Sequence, residues 1–302
     1  MKACWVQTVS AAAMLLALPV AGLAAPPMAV WACAEGIEVR FRPEKVAQGS
    51  VVLVEVRAAA PLEGLRGQWS GETVLFWSGD EPGSPLRALI GVDLSRRPGK
   101  ALLKLTAKRG DESVECAVIL PISKTEFAVE QLRVPKRFVE LSPEDKARAE
   151  REGKRLQEIL ADVSPVRLWT GGFVSPVGDV KASGNFGKRR ILNGEPRSPH
   201  AGEDFPALAG APVQASQRGR VVLADDFFFS GQTVVLDHGL GLFTYYAHLE
   251  KIEVTESEVV EASTVLGRVG ATGRVTGAHL HWAARLNQAR VNPLDLLAVL
   301  AE

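Results

Sequence analysis

Charge of either sign is not in excess: 35 Lys and Arg face 35 Asp and Glu, a formal net charge of zero. The basic surplus that would hold nucleic acid by its phosphates is therefore missing, and so is an acidic tail. Long apolar runs are also missing, except near the start. Lys2 gives a short positive opening, and Ala11 to Ala25 (AAAMLLALPVAGLAA) is apolar and ends in small residues. Gly22-Leu23-Ala24 fits the small-x-small pattern of signal cleavage, so the cut is expected near Ala24 or Ala25. As a membrane anchor the run is too short and lacks a following stop-transfer charge cluster. No later segment suits a bilayer. The expectation is an exported chain, soluble once residues 1–25 are removed.

Cysteine is scarce, with three in the chain, and Cys4 lies in the signal. Cys33 and Cys116 remain, an even pair that reads as a candidate disulfide in an oxidising compartment. Lipid attachment at Cys33 is the rival reading, but Trp31 is an odd residue so close before a lipidated cysteine.

Histidine is nearly as scarce, and its placement carries the chemistry. All five (His200, His238, His248, His279 and His281) fall in one stretch. His279-Leu280-His281 sits in a run with strand character (HLHWAAR), where alternate side chains share a face. His200 and Asp204 lie four apart across Gly202, a spacing that brings an imidazole and a carboxylate within reach of one ion. Two His and one Asp can fill three positions of a tetrahedral zinc and leave one for water. Scattered structural histidines are the plain alternative; their concentration beside an acid favours the metal. His238 stands outside the pattern and reads as structural.

The segments H-x-G-x-D-F from His200, Y-x-H-L from Tyr246 and T-G-x-H-L-H-W from Thr276 resemble the signature motifs of the lysostaphin-like (LytM-type) zinc metallopeptidases, which cut peptide bonds in bacterial peptidoglycan. The resemblance runs from about Trp169 to Leu297. It implies one zinc ion per chain held by His200, Asp204 and His281, with His248 and His279 as the catalytic pair. His279 would be the general base and His248 the oxyanion stabiliser, with exchange of the two roles left open. A comparable Phe-Gly-x-Arg stretch borders the groove in the family, so Asn185, Arg189, Arg190 and Asn193 are candidates for touching substrate, as is Tyr246 beside His248. Arginine suits the carboxylates of stem peptides because it can pair with them bidentately. Ser257 and Ser263 stand where relatives commonly have turn glycines, and Ala278 stands where a proline is common.

With 302 residues and 46% apolar content the chain can build two domains. Period-two runs at 52–58, 101–108 and 114–120, between turn signals, argue a small antiparallel sandwich or barrel. Ser142-Pro143-Glu144-Asp145 is a helix start, with an N-cap, a first-turn proline and acids at the positive end of the dipole. The helix is charged along most of its length and expected to pack only through Leu156, Ile159 and Leu160. Phe227, Phe228 and Phe229 are expected both to cover a core edge and to wall the groove.

The expected fold is mainly β: signal peptide 1–25, β-rich N-terminal domain 26–138, connecting α-helix 139–163, and a C-terminal antiparallel-sheet LytM-type peptidase domain 164–302. The expected function is an exported zinc endopeptidase acting on peptidoglycan cross-links in the periplasm or cell envelope. Peptidoglycan stem peptides are the expected substrate partner, and an envelope regulatory protein is a candidate partner. A non-catalytic regulator that activates a separate cell-wall amidase is the alternative, and a binding β-protein with an incidental metal site is a third.

Overall fold

The computed structural model describes residues 29–34, 36–79 and 83–300, so the expected signal peptide lies outside the described residues. Two five-stranded sheets come first. One runs Ala29–Ala34, Ile37–Arg42, Val51–Ala58, Leu86–Gly91, Trp77–Ser78, and the other Val46–Ala47, Glu112–Ser123, Gly99–Arg109, Glu63–Trp69, Glu72–Leu75. Gly99–Arg109 shows why they stack. Ala101, Leu103, Leu105 and Ala107 are buried while the residues between them face water, so this face must find a second apolar layer. Phe41, Val54, Ile90, Leu103 and Leu120 meet in that layer. Cys33 on the first sheet and Cys116 on the second are joined by a disulfide, with Cα atoms 5.7 Å apart.

The strand Val51–Ala58 departs from simple alternation. Six consecutive residues are buried. Val52, Val54 and Val56 face the sandwich core, whereas Val51 and Leu53 join Leu89 in packing against Trp169, Phe173, Leu242 and Leu286. The sandwich is thus covered on its outer face by the C-terminal half of the chain. Polar contacts fasten the same seam: Arg290 pairs with Asp93 at 2.7 and 2.9 Å, Asn292 N–H donates to Gly49 O at 2.8 Å, and Val51 N–H donates to Asp295 at 3.0 Å.

The helix Pro143–Ala161 begins as its sequence requires, with Ser142 Oγ accepting from Asp145 N–H at 3.0 Å. Leu160 is buried, and Leu156 and Ile159 pack with it against Leu223, Phe227 and Phe243. Its charged half is also attached: Arg148 reaches Asp226 at 3.1 Å, and Arg155 pairs with Asp225 and Glu256. No helix among the described residues is long and apolar enough to cross a membrane.

The C-terminal half is built on a nine-stranded sheet whose main path runs Gly202–Phe205, Leu280–Leu286, Leu242–Ile252, Gly231–Gly239, Gly219–Phe227, Val259–Val260. Phe205, Tyr246 and Trp282 fill the core under it. Ser257 and Ser263 adopt φ of 74° and 66°, so these serines do occupy left-handed turns that glycine would enter at lower cost. One connection joins the halves unexpectedly. Val129–Leu132, inside the stretch 26–138, pairs in parallel with Arg189–Leu192 and sets Glu130 beside Arg190.

Candidate metal centre

Three strands bring the histidines together. In the antiparallel pair Gly202–Phe205 with Leu280–Leu286, Asp204 lies directly opposite His281. Directly opposed residues share a face, so carboxylate and imidazole project from the sheet side by side. Gly202 makes the close approach possible. A Cβ there would lie 2.6 Å from Trp282 O and 2.8 Å from the His281 ring. The third strand pairs Ala247 with His281 and Tyr246 with Trp282, so Ala247 faces the site and Tyr246 the core. Strict alternation would send His248 into the core. Instead His248 takes φ 64° where the pairing with Gly231–Gly239 slips a register, and this bulge turns its ring to the site.

His200 precedes the first strand and is anchored at both ends of its peptide: His200 N–H donates to Lys188 O at 2.9 Å and Gly187 N–H to His200 O at 2.8 Å. Its Nδ1 lies 3.1 Å from Asn185 O, the geometry of an N–H donor to a carbonyl, which leaves the Nε2 lone pair free. That Nε2 stands 3.1 Å from Asp204 Oδ1 and 2.8 Å from His281 Nδ1, and His281 Nδ1 is 2.8 Å from the same Oδ1. Two ring nitrogens and a carboxylate oxygen thus converge on one point. Donor atoms turned toward one another in this way repel unless a cation or protons sit between them, and two His with one Asp are an ordinary zinc set. The residues present fit a divalent metal.

His248 and His279 flank this triad. His248 Nδ1 is 2.9 Å from Thr272 O and His279 Nδ1 is 2.9 Å from Gly277 O, so each carbonyl fixes the ring and turns Nε2 inward. Their ring centroids are 5.0 Å apart. Burial, then repulsion from His281 and His279, pushes the His248 pKa down to about 3. Burial likewise lowers His281 to about 4, against the opposing pull of Asp204. For Asp204, burial resists ionisation, but the His200 and His281 imidazoles at hydrogen-bond distance outweigh it and hold the carboxyl well below its usual range. A neutral His281 beside an ionised Asp204 is the protonation state a metal needs of them.

Behind the triad lies a support that sequence reasoning missed. Glu203 is 2% exposed and accepts Asn185 N–H at 2.9 Å and Phe186 N–H at 3.1 Å. Asn185 in turn donates its side-chain amide to Asp204 Oδ2 at 2.7 Å and accepts Asp204 N–H at 3.0 Å. Asn185 therefore lines the cavity and also props Asp204 and His200. Glu203 is buried next to Asp204 in a strand where three of four residues are buried, and no spacing in the sequence marks it.

The remaining expected substrate contacts divide. Arg190 lines a cavity of about 210 Å³ with Asp204, His248 and His279. Arg189, its neighbour in the strand, is exposed and outside that lining. Asn193 spends its amide on Val134, donating to its carbonyl at 2.9 Å and accepting its N–H at 3.0 Å, so it secures the segment 129–134. Tyr246 requires a correction. It is 0% exposed, with its hydroxyl 2.6 Å from Ser216 Oγ, and the bulge after Ala247 separates it from the face His248 occupies. Of the three consecutive aromatics, Phe227 and Phe228 are buried and Phe229 is half-buried under Arg274, whose guanidinium carbon lies 4.5 Å from the ring centre. His238 is fully buried away from the site, its nitrogens 2.8 Å from Arg218 O and 2.7 Å from Thr244 Oγ1.

The profile of peptidase family M23 matches residues 198–293, which contain the triad and both flanking histidines. Among curated proteins, the DD-carboxypeptidase/endopeptidase Mpg of Neisseria meningitidis is 36% identical over 146 residues, covering 48% of this chain and 31% of that protein. The peptidoglycan DD-endopeptidase ShyA of Vibrio cholerae is 38% identical over 115 residues, 38% of this chain and 27% of that protein. The matching segments thus span less than a third of either curated relative. The likeness to a solved structure goes further: a crystal structure of a candidate M23 peptidase from Pseudomonas aeruginosa is 32% identical with a TM-score of 0.66, covering 84% of this chain and 96% of that one.

Proposed function

Because the chain belongs to peptidase family M23, we propose that it is a zinc metalloendopeptidase that hydrolyses the peptide cross-links of bacterial peptidoglycan. The observation that carries this reading is the convergence of His200 Nε2, Asp204 Oδ1 and His281 Nδ1, with two further imidazoles turned to the same cavity. The curated relatives named for peptidoglycan cleavage support the substrate class.

In this proposal His200, Asp204 and His281 hold one zinc ion. Zinc there supplies Lewis acidity, acidifying water to a pKa of about 7 and polarising a carbonyl. The residues do the rest. Asn185 and Glu203 keep Asp204 and His200 in place. His279 stands at the lip of the cavity with Nε2 3.6 Å from Asp204 Oδ1, and we assign it removal of the proton from the attacking water. His248 is assigned the developing oxyanion. With Nδ1–H committed to Thr272 O, a neutral His248 ring offers only a lone pair at Nε2. It can donate to the oxyanion only when it carries a second proton. Burial disfavours that proton at rest, so it must be the one His279 takes from the attacking water, passed between rings whose centroids are 5.0 Å apart and given up in turn to the departing amine.

We further propose the division into signal peptide 1–25, β-rich domain 26–138, helix 139–163 and peptidase domain 164–302, with action in the periplasm or cell envelope. The alternative of a non-catalytic activator of an amidase has no feature here that favours it. Incubating zinc-loaded protein with purified sacculi and identifying the released fragments tests the proposal. New peptide termini at cross-links are expected; intact cross-links despite one bound zinc per chain would overturn it.

A further inference from the structure

The cavity beside the triad contains a second charged group that the chemistry above does not use. Arg274 and Arg190 both line it. Arg274 is half-buried against the Phe229 ring, and among the described residues no carboxylate pairs with its guanidinium. Arg190 has a buried Nε with no hydrogen-bond partner, and its nearest carboxylate oxygen, Asp204 Oδ2 at 3.9 Å, is already bonded to Asn185 at 2.7 Å. Glu130 is the other acid in the lining, and its carboxylate lies 3.4 Å from Lys188 Nζ. Two guanidinium groups therefore line one partly buried space whose own carboxylates, Asp204 and Glu130, are engaged with Asn185 and Lys188, and Arg274 has no acid partner among the described residues. The tension is visible on Arg274, whose pKa is lowered to about 10 by burial and then by repulsion from Arg190 and Arg197.

The arginine is also held in position. Arg274 N–H donates to Phe229 O at 2.8 Å, and Thr272 Oγ1 accepts Gln232 N–H at 3.0 Å while donating to Leu249 O at 2.6 Å. Gly273 between them has φ 74°, and a Cβ there would lie 2.4 Å from Gly231 N. This is the same turn whose Thr272 carbonyl orients His248, so the Arg274 backbone and the His248 ring are fastened to one stretch of chain, and the guanidinium rests on the Phe229 ring. Building a half-buried cation onto a fixed turn, next to a second cation, costs stability unless a ligand supplies the missing charge. A carboxylate matches the fork geometry of guanidinium, and two forks around one cavity suit a carboxylate better than any neutral group.

We propose that Arg274, together with Arg190, is a specificity-determining pair that binds a free carboxylate of the peptide substrate next to the scissile bond. The inference rests on the peptidase reading of the same cavity and adds a requirement to it. The carboxylate comes either from a peptide C-terminus or from a dicarboxylic side chain.

The test uses the full chain loaded with zinc and three versions of one cross-linked muropeptide dimer: free acid, C-terminal amide and side-chain amide. Amidating the recognised carboxylate is expected to lower kcat/KM on the order of 10- to 100-fold, the range of a charge-assisted hydrogen bond. The amide that loses rate identifies the source. R274Q should bring the free acid down to the rate of that amide while zinc content stays at the wild-type level. R274K, which keeps the charge and loses the fork, should fall between. Equal rates on all three substrates would overturn the proposal without touching the peptidase reading. If none is cleaved, calorimetric titration of the acid and amide dimers still decides: tighter binding of the acid, abolished by R274Q, supports the pair, whereas equal affinities refute it. Absence of cleavage with discriminating binding would instead count against the peptidase reading alone.

Discussion

Replacing Glu203 by Gln perturbs the metal centre without touching any proposed ligand. The carboxylate takes two backbone N–H groups, Asn185 at 2.9 Å and Phe186 at 3.1 Å, in a position 2% exposed to solvent. Gln is nearly isosteric but has one carbonyl oxygen, so its NH2 must face one of those N–H donors. One charge-assisted bond disappears, worth about 1.5–3 kcal/mol, and a buried donor is left without an acceptor at a cost of about 1–3 kcal/mol. The two overlap, and we expect a loss of about 2–4 kcal/mol, taken first from the loop that carries Asn185. Asn185 is what orients both Asp204, through its amide, and His200, through its carbonyl. Zinc affinity should therefore fall about 10- to 100-fold, the usual effect of removing a partner behind a ligand. Competition with a chromophoric chelator reads the affinity and urea unfolding of the metal-free protein reads the stability. Unchanged values of both in E203Q would refute the claim that this acid supports the site.

Three further outcomes are expected. H248A should bind zinc at the wild-type level, because His248 is outside the converging triad, and should slow cleavage of sacculi by about 10²–10⁴-fold; full activity would remove it from the chemistry. The pair C33S/C116S opens a link of 83 residues in sequence, worth about 4–5 kcal/mol on the chain-entropy account, and guanidinium unfolding with and without reductant should show that loss in the wild type only. His238 is buried neutral with its pKa lowered to about 4 by desolvation, so its contribution is complete above about 6.5, where the unfolded ring is also neutral, and is lost as pH falls toward 4. Over that window it should cost on the order of 3 kcal/mol. Urea midpoints of the metal-free protein from pH 7 to pH 4 should fall steeply, and H238Q should flatten the slope.

Much of the site was legible because its chemistry is written at short range. His200 and Asp204 four apart, and His279 and His281 two apart, report their own relative placement once strand periodicity is assumed, and the structure brings His200, Asp204 and His281 together with His279 3.6 Å from the same carboxylate. The same periodicity failed at Tyr246 and His248. Two residues apart should mean one face, but a bulge with φ 64° at His248 sends one ring to the cavity and the other to the core. A bulge depends on how three strands register against each other, which no local pattern reports. The helix start at Ser142 was readable for the opposite reason, since a cap is settled within four residues.

By itself the sequence determined which imidazoles and carboxylate are available to a metal, the mainly β character, the helix with its cap, and the two cysteines available to cross-link. These follow from side-chain chemistry and from repeats of two or four residues, which the chain carries wherever it folds. Tertiary structure alone decided that Val51 and Leu53 bury a second face against Trp169, that residues 129–134 wall the cavity, and that Glu203 stands behind Asp204. It also set Arg274 against Arg190, residues 84 positions apart whose proximity depends on the strands between them closing into one sheet. Charges brought together over such separations interact through the space the fold leaves between them, and that space is not encoded at any single position.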